Sequence, residues 1–148
     1  MPTTQFRRSS RVAAQPAAPF RCWRSRAKTA TIVTVTGELD IATVPDLDTQ
    51  LRAAERDTPL VVLDLRALEF VDSSGAALML ATDRRVSHAG GRFVVVRGPV
   101  EVQWLLALTG FDRELELVDQ PSCALGALAV RRGVTRARNS SGVACDDT

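Results

Sequence analysis

The chain has 148 residues, of which 45% are hydrophobic and 24% charged, and its formal net charge is +2. This size and composition are typical of one soluble domain with short tails. No apolar run approaches the roughly 18–20 residues that a membrane-spanning helix needs, and no apolar segment follows the N-terminal arginines as in a secretory signal. We therefore expect a cytoplasmic protein with no direct membrane contact.

The positive charge is concentrated at the N-terminus. Residues 1–28 contain seven basic residues and no acidic one, and removing these seven from the 19 basic residues leaves 12 against 17 acidic ones. Residues 1–19 show no hydrophobic period, so we expect a disordered basic arm. Such an arm can bind nucleic acid, but no aromatic residues or groove-reading motif accompany it, so a solubilising tail is preferred and nucleic acid is not an expected partner.

The cysteine pattern is uninformative about function. Cys22, Cys123 and Cys145 are an odd number and far apart, and no pair has the spacing of a metal site or a redox motif. We therefore predict reduced thiols, although a bridge between Cys22 and Cys123 stays open.

In chain order, the first half predicts two strands and a helix. Residues 20–26 alternate weakly and predict a first strand, and residues 31–36 are mostly β-branched and predict a second, which ends at residues 37–40. Thr43 is a good N-cap, and the apolar spacing after it predicts a helix over residues 43–56.

The middle of the chain predicts a strand, a helix and a further strand. Residues 60–65 form a nearly continuous apolar run, which is typical of a central strand covered on both faces. A helix is predicted over residues 73–89 and stops at Gly90-Gly91, and residues 92–97 predict the next strand.

The C-terminal third of the sequence predicts a helix over residues 99–109 closed by Gly110, a short strand over 114–118, and a helix from Pro121 to about residue 131. The whole order predicts a single α/β domain over residues 20–131, followed by a flexible tail over 132–148. Right-handed strand–helix–strand units give a mixed, mostly parallel sheet of about five strands, with about four helices mainly on one face.

Catalysis by this chain is not expected. The only histidine, His88, lies near a predicted helix end, and Asp72-Ser73-Ser74-Gly75 is not the nucleophile elbow of a hydrolase. Asp40, Asp64 and Asp72 could hold a divalent ion if they converged, but each follows a strand, where capping and turn roles are more common. We therefore expect no cofactor and no metal site.

The Asp72-Ser73-Ser74-Gly75 segment places two hydroxyl groups at the start of a predicted helix. A helix N-terminus has unsatisfied N–H groups and a partial positive charge, which favour a phosphate group there. The local interpretation is capping of the helix by Asp72 or Ser73. The alternative is that a serine is modified as a switch.

Four segments between residues 20 and 130 resemble, in order and separation, the STAS domain of the anti-sigma factor antagonist type. They are Thr-Gly-Glu-Leu-Asp at 36–40, Val-Leu-Asp-Leu at 62–65, Phe-Val-Asp-Ser-Ser-Gly at 70–75, and Leu-Leu-Ala-Leu-Thr-Gly-Phe-Asp at 105–112. This resemblance implies a STAS-like fold and a regulatory protein that is not an enzyme.

The resemblance also implies a partner switch. In that family the unmodified antagonist binds an anti-sigma factor, often a serine kinase, and so releases the sigma factor. The kinase phosphorylates the serine directly after the aspartate, here Ser73 with Ser74 as runner-up, and a PP2C-type phosphatase reverses the modification. Asp40 matches an acidic residue of the family's partner surface. The resemblance implies that Asp72 and Gly75, together with the two serines, also belong to that partner-binding surface.

Phosphorylation at this position would place about −1.5 to −2 charges beside Asp72 and Asp40, and so oppose a docked partner. The alternative from a different functional class is a STAS scaffold or ligand-sensing module that is never phosphorylated, with serines that only cap the helix.

Trp104 is expected on the outer side of its helix. Together with Val100 and Ala107 it makes a second apolar side, opposite the side that includes Val102 and Leu106. The sequence leaves two interpretations open, which are packing against another part of the chain and an extra interface with a partner.

Overall fold

The computed structural model describes residues 18–127. Almost all of the predicted N-terminal arm, the end of the predicted last helix and the predicted C-terminal tail lie outside the described residues.

The described chain forms five strands and four helices around one sheet. The elements are β1 (Arg21–Ala27), β2 (Ala30–Leu39), α1 (Val44–Asp57), β3 (Leu60–Val71), α2 (Ser73–His88), β4 (Arg92–Val96), α3 (Val100–Thr109), a 3-10 turn (Phe111–Arg113), β5 (Leu117–Val118) and α4 (Pro121–Ala127). The strand order is β1-β2-β3-β4-β5, and only β1 runs antiparallel to its neighbour. The predicted α/β fold with a mixed five-strand sheet is confirmed.

The sheet is covered on both faces. Val61 and Leu63 of β3 point to the face on which α1, α2 and α3 pack, whereas Leu60 and Val62 belong to the opposite face, where Ala124 of α4 packs. Alternate side chains of a strand point to opposite faces, so two covered faces require an apolar residue at every position. This explains the continuous apolar run in the sequence.

The strand β3 is longer than predicted. It continues past residue 65 to Val71, with register shifts against β2 that leave two extra residues in β3. Leu65, Leu68 and Val71 are all buried in the core beneath the helices. A bulge inserts a residue and so changes the spacing of core-facing side chains from two to three. The predicted end of this strand at residue 65 is therefore wrong, because the bulges break the alternation on which the prediction rested.

The strand β2 also runs past its predicted end at Gly37. This glycine has a φ of +88°, and a Cβ there would lie 2.6 Å from the carbonyl oxygen of Pro19 and 2.7 Å from the Cα of Phe20. Glycine is needed because the chain entering β1 crosses it closely. As a result β2 reaches Leu39 and ends level with β3.

The strand β5 is shorter than predicted, with two residues in place of five. Gly110, with a φ of +82°, closes α3 as predicted, but a 3-10 turn follows it at once and takes up residues 111–113. Leu115 is buried in the core without belonging to a strand.

The prediction of a reduced thiol is wrong for Cys123. Cys123 is disulfide-bonded, whereas Cys22 has a free thiol, so the bridge between these two residues is not formed. Sequence spacing alone does not show which thiols the fold brings together. Burial, and to a smaller extent the charge of Asp46, raises the pKa of the Cys22 thiol, which disfavours its thiolate.

Gly75 lies where α2 meets the ends of β2 and β3. A Cβ at this position would lie 2.7 Å from Cγ2 of Val71 and 2.8 Å from Cδ2 of Leu39. We expect Gly75→Ala to lower the free energy of unfolding by about 1–3 kcal/mol through overpacking, despite the better helix propensity of alanine. Urea denaturation measures this change.

The matched control is Gly126→Ala in α4, where a Cβ would meet nothing within 4 Å. We expect this variant to be as stable as the wild type or slightly more stable. A Gly75→Ala protein with wild-type stability would show that the helix start tolerates displacement from the two strands.

Candidate functional site

The ends of β2 and β3 lie side by side and bring the predicted site residues together. The backbone N–H of Asp72 donates to the carbonyl oxygen of Leu39 at 3.1 Å. Asp40 therefore follows β2 at the point where Asp72 and Ser73 follow β3. This edge of the sheet, together with the first turn of α2, is the candidate site.

Asp72 is the residue that caps α2. Its Oδ1 accepts hydrogen bonds from the backbone N–H groups of Ser74 at 2.9 Å and Gly75 at 3.0 Å, and from the Ser74 hydroxyl at 2.6 Å. These bonds satisfy two of the free N–H groups at the helix start. Of the two caps that the sequence left open, the structure selects Asp72 over Ser73.

The environment of Asp72 favours its ionised form. Burial on its own would raise the pKa of this carboxyl group. The hydrogen bonds from the Ser74 hydroxyl and from the N–H groups of Gly75 and Ser74, with a smaller contribution from the N–H of Ile41, outweigh burial and hold the pKa of Asp72 below its usual value.

The two serines have different surroundings. The Ser74 side chain is half-buried, and its hydroxyl is used in the bond to Asp72. Ser73 is exposed as the first residue of α2, and its hydroxyl makes no hydrogen bond to any residue that the structure describes. Of the two serine hydroxyls, the one of Ser73 is therefore the one that can change without loss of a contact within the described residues.

Asp40 holds the turn between β2 and α1. Its Oδ1 accepts from the N–H groups of Ala42 at 3.0 Å and Thr43 at 3.2 Å. The Thr43 hydroxyl accepts from the Asp40 N–H at 2.9 Å and donates to the carbonyl oxygen of Glu38 at 3.1 Å. Thr43 is the N-cap of α1 as predicted, but its side chain bonds back to β2 and makes no capping bond to the helix.

Two exposed apolar residues lie beside these acids, and neither was predicted as a site residue from the sequence. Ile41 is 75% exposed and Phe70 is 46% exposed. Phe70 pairs with Glu38 on β2 and points away from the core because the next residue, Val71, points into it. Only their positions in the sequence pointed to the site, since Ile41 follows Asp40 and Phe70 stands two residues before Asp72.

The outer side of α2 carries small side chains next to the site. Ser73, Ala77 and Ala81 are exposed at a spacing of four residues, which places them on one side of the helix. A partner can therefore approach the backbone of α2 closely from Ser73 onward.

The remaining candidates lie away from this edge. Trp104 is 63% exposed on α3, as the sequence indicated, and His88 is exposed at the end of α2. Asp64 accepts two bonds from the guanidinium of Arg66, at 3.0 and 2.8 Å, and takes no part in the candidate site.

No group of three histidine, cysteine or acidic side chains within residues 18–127 is placed to hold a metal ion. None of the helices in that range combines the length and the apolar character needed to cross a membrane.

Comparison with known proteins identifies relatives of this domain. The family model of the STAS domain matches residues 25–124. The chain is 32% identical over 101 residues to the anti-sigma F factor antagonist of Paenibacillus polymyxa, which covers 67% of this chain and 86% of the relative. It is 33% identical over 76 residues to Osmosensory protein A of Mycobacterium tuberculosis, covering 51% of this chain and only about half, 48%, of that protein.

Solved structures agree with the fold. The crystal structure of an anti-sigma factor antagonist from Mycobacterium paratuberculosis has a TM-score of 0.69 and 28% identity, and the match covers 75% of this chain and 95% of that one. The Bacillus cell fate determinant SpoIIAA in its phosphorylated form has a TM-score of 0.56 and 18% identity, covering 74% and 99%. At that identity the second likeness concerns the fold alone.

The family match spans most of the described chain, from β1 to α4, and includes both strand ends that carry the candidate site. The chain belongs to the STAS domain family, and its relatives include proteins named anti-sigma factor antagonists.

Proposed function

We propose that this protein is an anti-sigma factor antagonist whose binding is switched by phosphorylation of Ser73. The unmodified form binds an anti-sigma factor of the serine-kinase type in the cytoplasm and so releases the sigma factor. The names of the relatives support the class of function. The observation that carries the switch is the exposed Ser73 hydroxyl, which has no bonding partner in the described chain and lies next to a helix cap already completed by Asp72.

A phosphate at Ser73 is compatible with the fold. The first N–H groups of α2 and the positive end of its dipole lie beside the modified oxygen, and they stabilise negative charge. The capping bonds of Asp72 involve Ser74 and Gly75, so adding the phosphate breaks none of them. The switch therefore needs no unfolding of the domain.

The same phosphate opposes a docked partner. It adds about −1.5 to −2 charges beside the carboxylates of Asp72 and Asp40. A partner surface that fits Ile41 and the small residues of α2 meets both the added bulk and the added charge. Uncompensated charge at an interface costs about 2–5 kcal/mol, and each 1.4 kcal/mol is a tenfold change in affinity.

The chemistry of this switch is carried out by partners. The anti-sigma kinase transfers the phosphoryl group to Ser73, and a PP2C-type phosphatase removes it. Both need direct access to the side chain, and the exposure of Ser73 at the helix start provides it. No catalytic role is assigned to any residue of this chain.

The first prediction concerns the acceptor. Incubation with the cognate anti-sigma kinase and ATP is expected to place one phosphate on Ser73, detected by intact mass and peptide mapping. Ser73→Ala is expected to abolish the reaction. The matched control Ser74→Ala removes a hydroxyl one residue away, whose one bond within residues 18–127 goes to Asp72, and is expected to be phosphorylated.

Phosphate incorporation into Ser73→Ala at the wild-type rate would rule out this acceptor. If the wild type takes up no phosphate while still binding the anti-sigma factor, the protein is an unswitched interaction module, and the serines serve the helix only.

The second prediction concerns the exposed apolar anchor of the site. Ile41 is 75% exposed and follows Asp40 at the end of β2, which lies beside the end of β3 that leads to Ser73. We expect Ile41→Asp to weaken binding of the anti-sigma factor by about 10–100-fold, because central apolar contacts dominate interfaces. Calorimetric titration measures the dissociation constant.

Val100→Asp on α3 serves as the control, because Val100 is similarly exposed at 73% but begins a different helix. Its affinity should match that of the wild type. Equal losses in both variants would show that the change in charge acts through the whole molecule and not through a contact at Ile41.

A further inference from the structure

The helix α3 is apolar on nearly every side. Its 10 residues include only three polar ones, Glu101, Gln103 and Thr109. A helix of this composition is normally covered on all sides. In this protein only Val102 and Leu106 are buried, and they face the sheet.

The uncovered side of α3 carries a line of large apolar side chains. Val100 is 73% exposed, and Trp104 and Leu108 are each 63% exposed. Their spacing of four residues places them on one side of the helix, over a length of about 12 Å. We refer to these three residues as the α3 stripe. They make up half of the six large hydrophobic side chains exposed within the described chain.

The arrangement of the stripe is self-complementary. It is centred on Trp104, with one aliphatic side chain a turn away on each side. A twofold axis at Trp104 would pack two α3 helices antiparallel, with tryptophan against tryptophan and Val100 against Leu108 of the second copy. Isologous contacts of this kind give closed dimers. The dipoles of antiparallel neighbouring helices also attract each other.

Charge favours the antiparallel arrangement. Glu101 is the only charged residue of α3, it is exposed, and it belongs to no ion pair recorded for residues 18–127. In a parallel pair it would face Glu101 of the second copy. In the antiparallel pair it stands opposite Ala107 of the second copy, so no like charges meet.

The exposed area of the α3 stripe determines how strongly two copies can associate. The exposed parts of the three side chains amount to roughly 350 Å² per copy, which is within the range of the largest apolar patch on a typical monomer. Two such patches with their flanking residues bury roughly 1,000 Å² in total, at the lower limit of specific interfaces. This area predicts a weak dimer that forms with rising concentration.

We propose that the α3 stripe is a self-association surface through which two copies of this chain pair by antiparallel packing of α3. The surface is separate from Ser73, which begins another helix, so the proposal does not depend on the proposed function.

Sedimentation velocity of the full chain between about 5 and about 500 µM tests this proposal, since weak interfaces have dissociation constants in this range. The wild type is expected to shift from monomer to dimer, and Trp104→Glu to remain monomeric throughout. The control Ile41→Glu, at an apolar residue outside the stripe that is 75% exposed, is expected to dimerise like the wild type.

A charge exchange tests the orientation. Val100→Glu and Leu108→Lys are each expected to weaken the dimer by at least about tenfold, since each buries an unpaired charge. The double variant places Glu beside Lys in an antiparallel pair only, and is expected to recover most of the wild-type association.

Three outcomes would overturn the proposal. One is a wild type that stays monomeric at the highest concentration. If the Trp104 fluorescence of that monomer is also shielded from quenching by iodide, the chain covers the stripe itself. Another is a Trp104→Glu protein that dimerises like the wild type. The third is a double variant no better than either single one, which would exclude antiparallel pairing.

Discussion

The hydrogen bonds of Asp72 are the constraint on which the site depends. Its side chain caps α2 through Ser74 and Gly75, and its backbone N–H bonds the carbonyl oxygen of Leu39 at the end of β2. The ends of two parallel strands and the start of a helix are thereby fixed to one another. Gly75 allows this close approach, because any side chain there would collide with Leu39 and Val71.

This constraint makes the two serines unequal. Because Asp72 completes the cap, Ser73 has no capping role and presents its hydroxyl to solvent at the positive end of the helix. The site thus combines strand ends and a helix start that are hydrogen-bonded together, an exposed serine hydroxyl, an exposed isoleucine, and a side of α2 with small side chains. A modification at such a point changes the surface seen by a partner and leaves the packing beneath it intact.

The regular elements and much of the site could be predicted from the sequence. The features that could not be predicted were missed for physical reasons. The strands around residues 31–36 and 60–65 and the helix from Ser73 follow clear periods, so they could be located. The extension of β3 could not, because its bulges break the alternation of core residues. Asp72 and Ser73 are both good caps by residue type, so only geometry distinguishes them. The exposure of Ile41 and Phe70 depends on how β2 and β3 end together, and the sequence indicated only that both residues stand close to the predicted acids.

The central claim is that the charge state of Ser73 decides partner binding. The most direct measurement is calorimetric titration of the cognate anti-sigma factor with the unmodified protein and with protein phosphorylated at Ser73 alone, while circular dichroism shows that both are folded alike. The account predicts an affinity lower by at least about 30-fold after phosphorylation, equivalent to about 2 kcal/mol. Equal affinity of the two forms would contradict it.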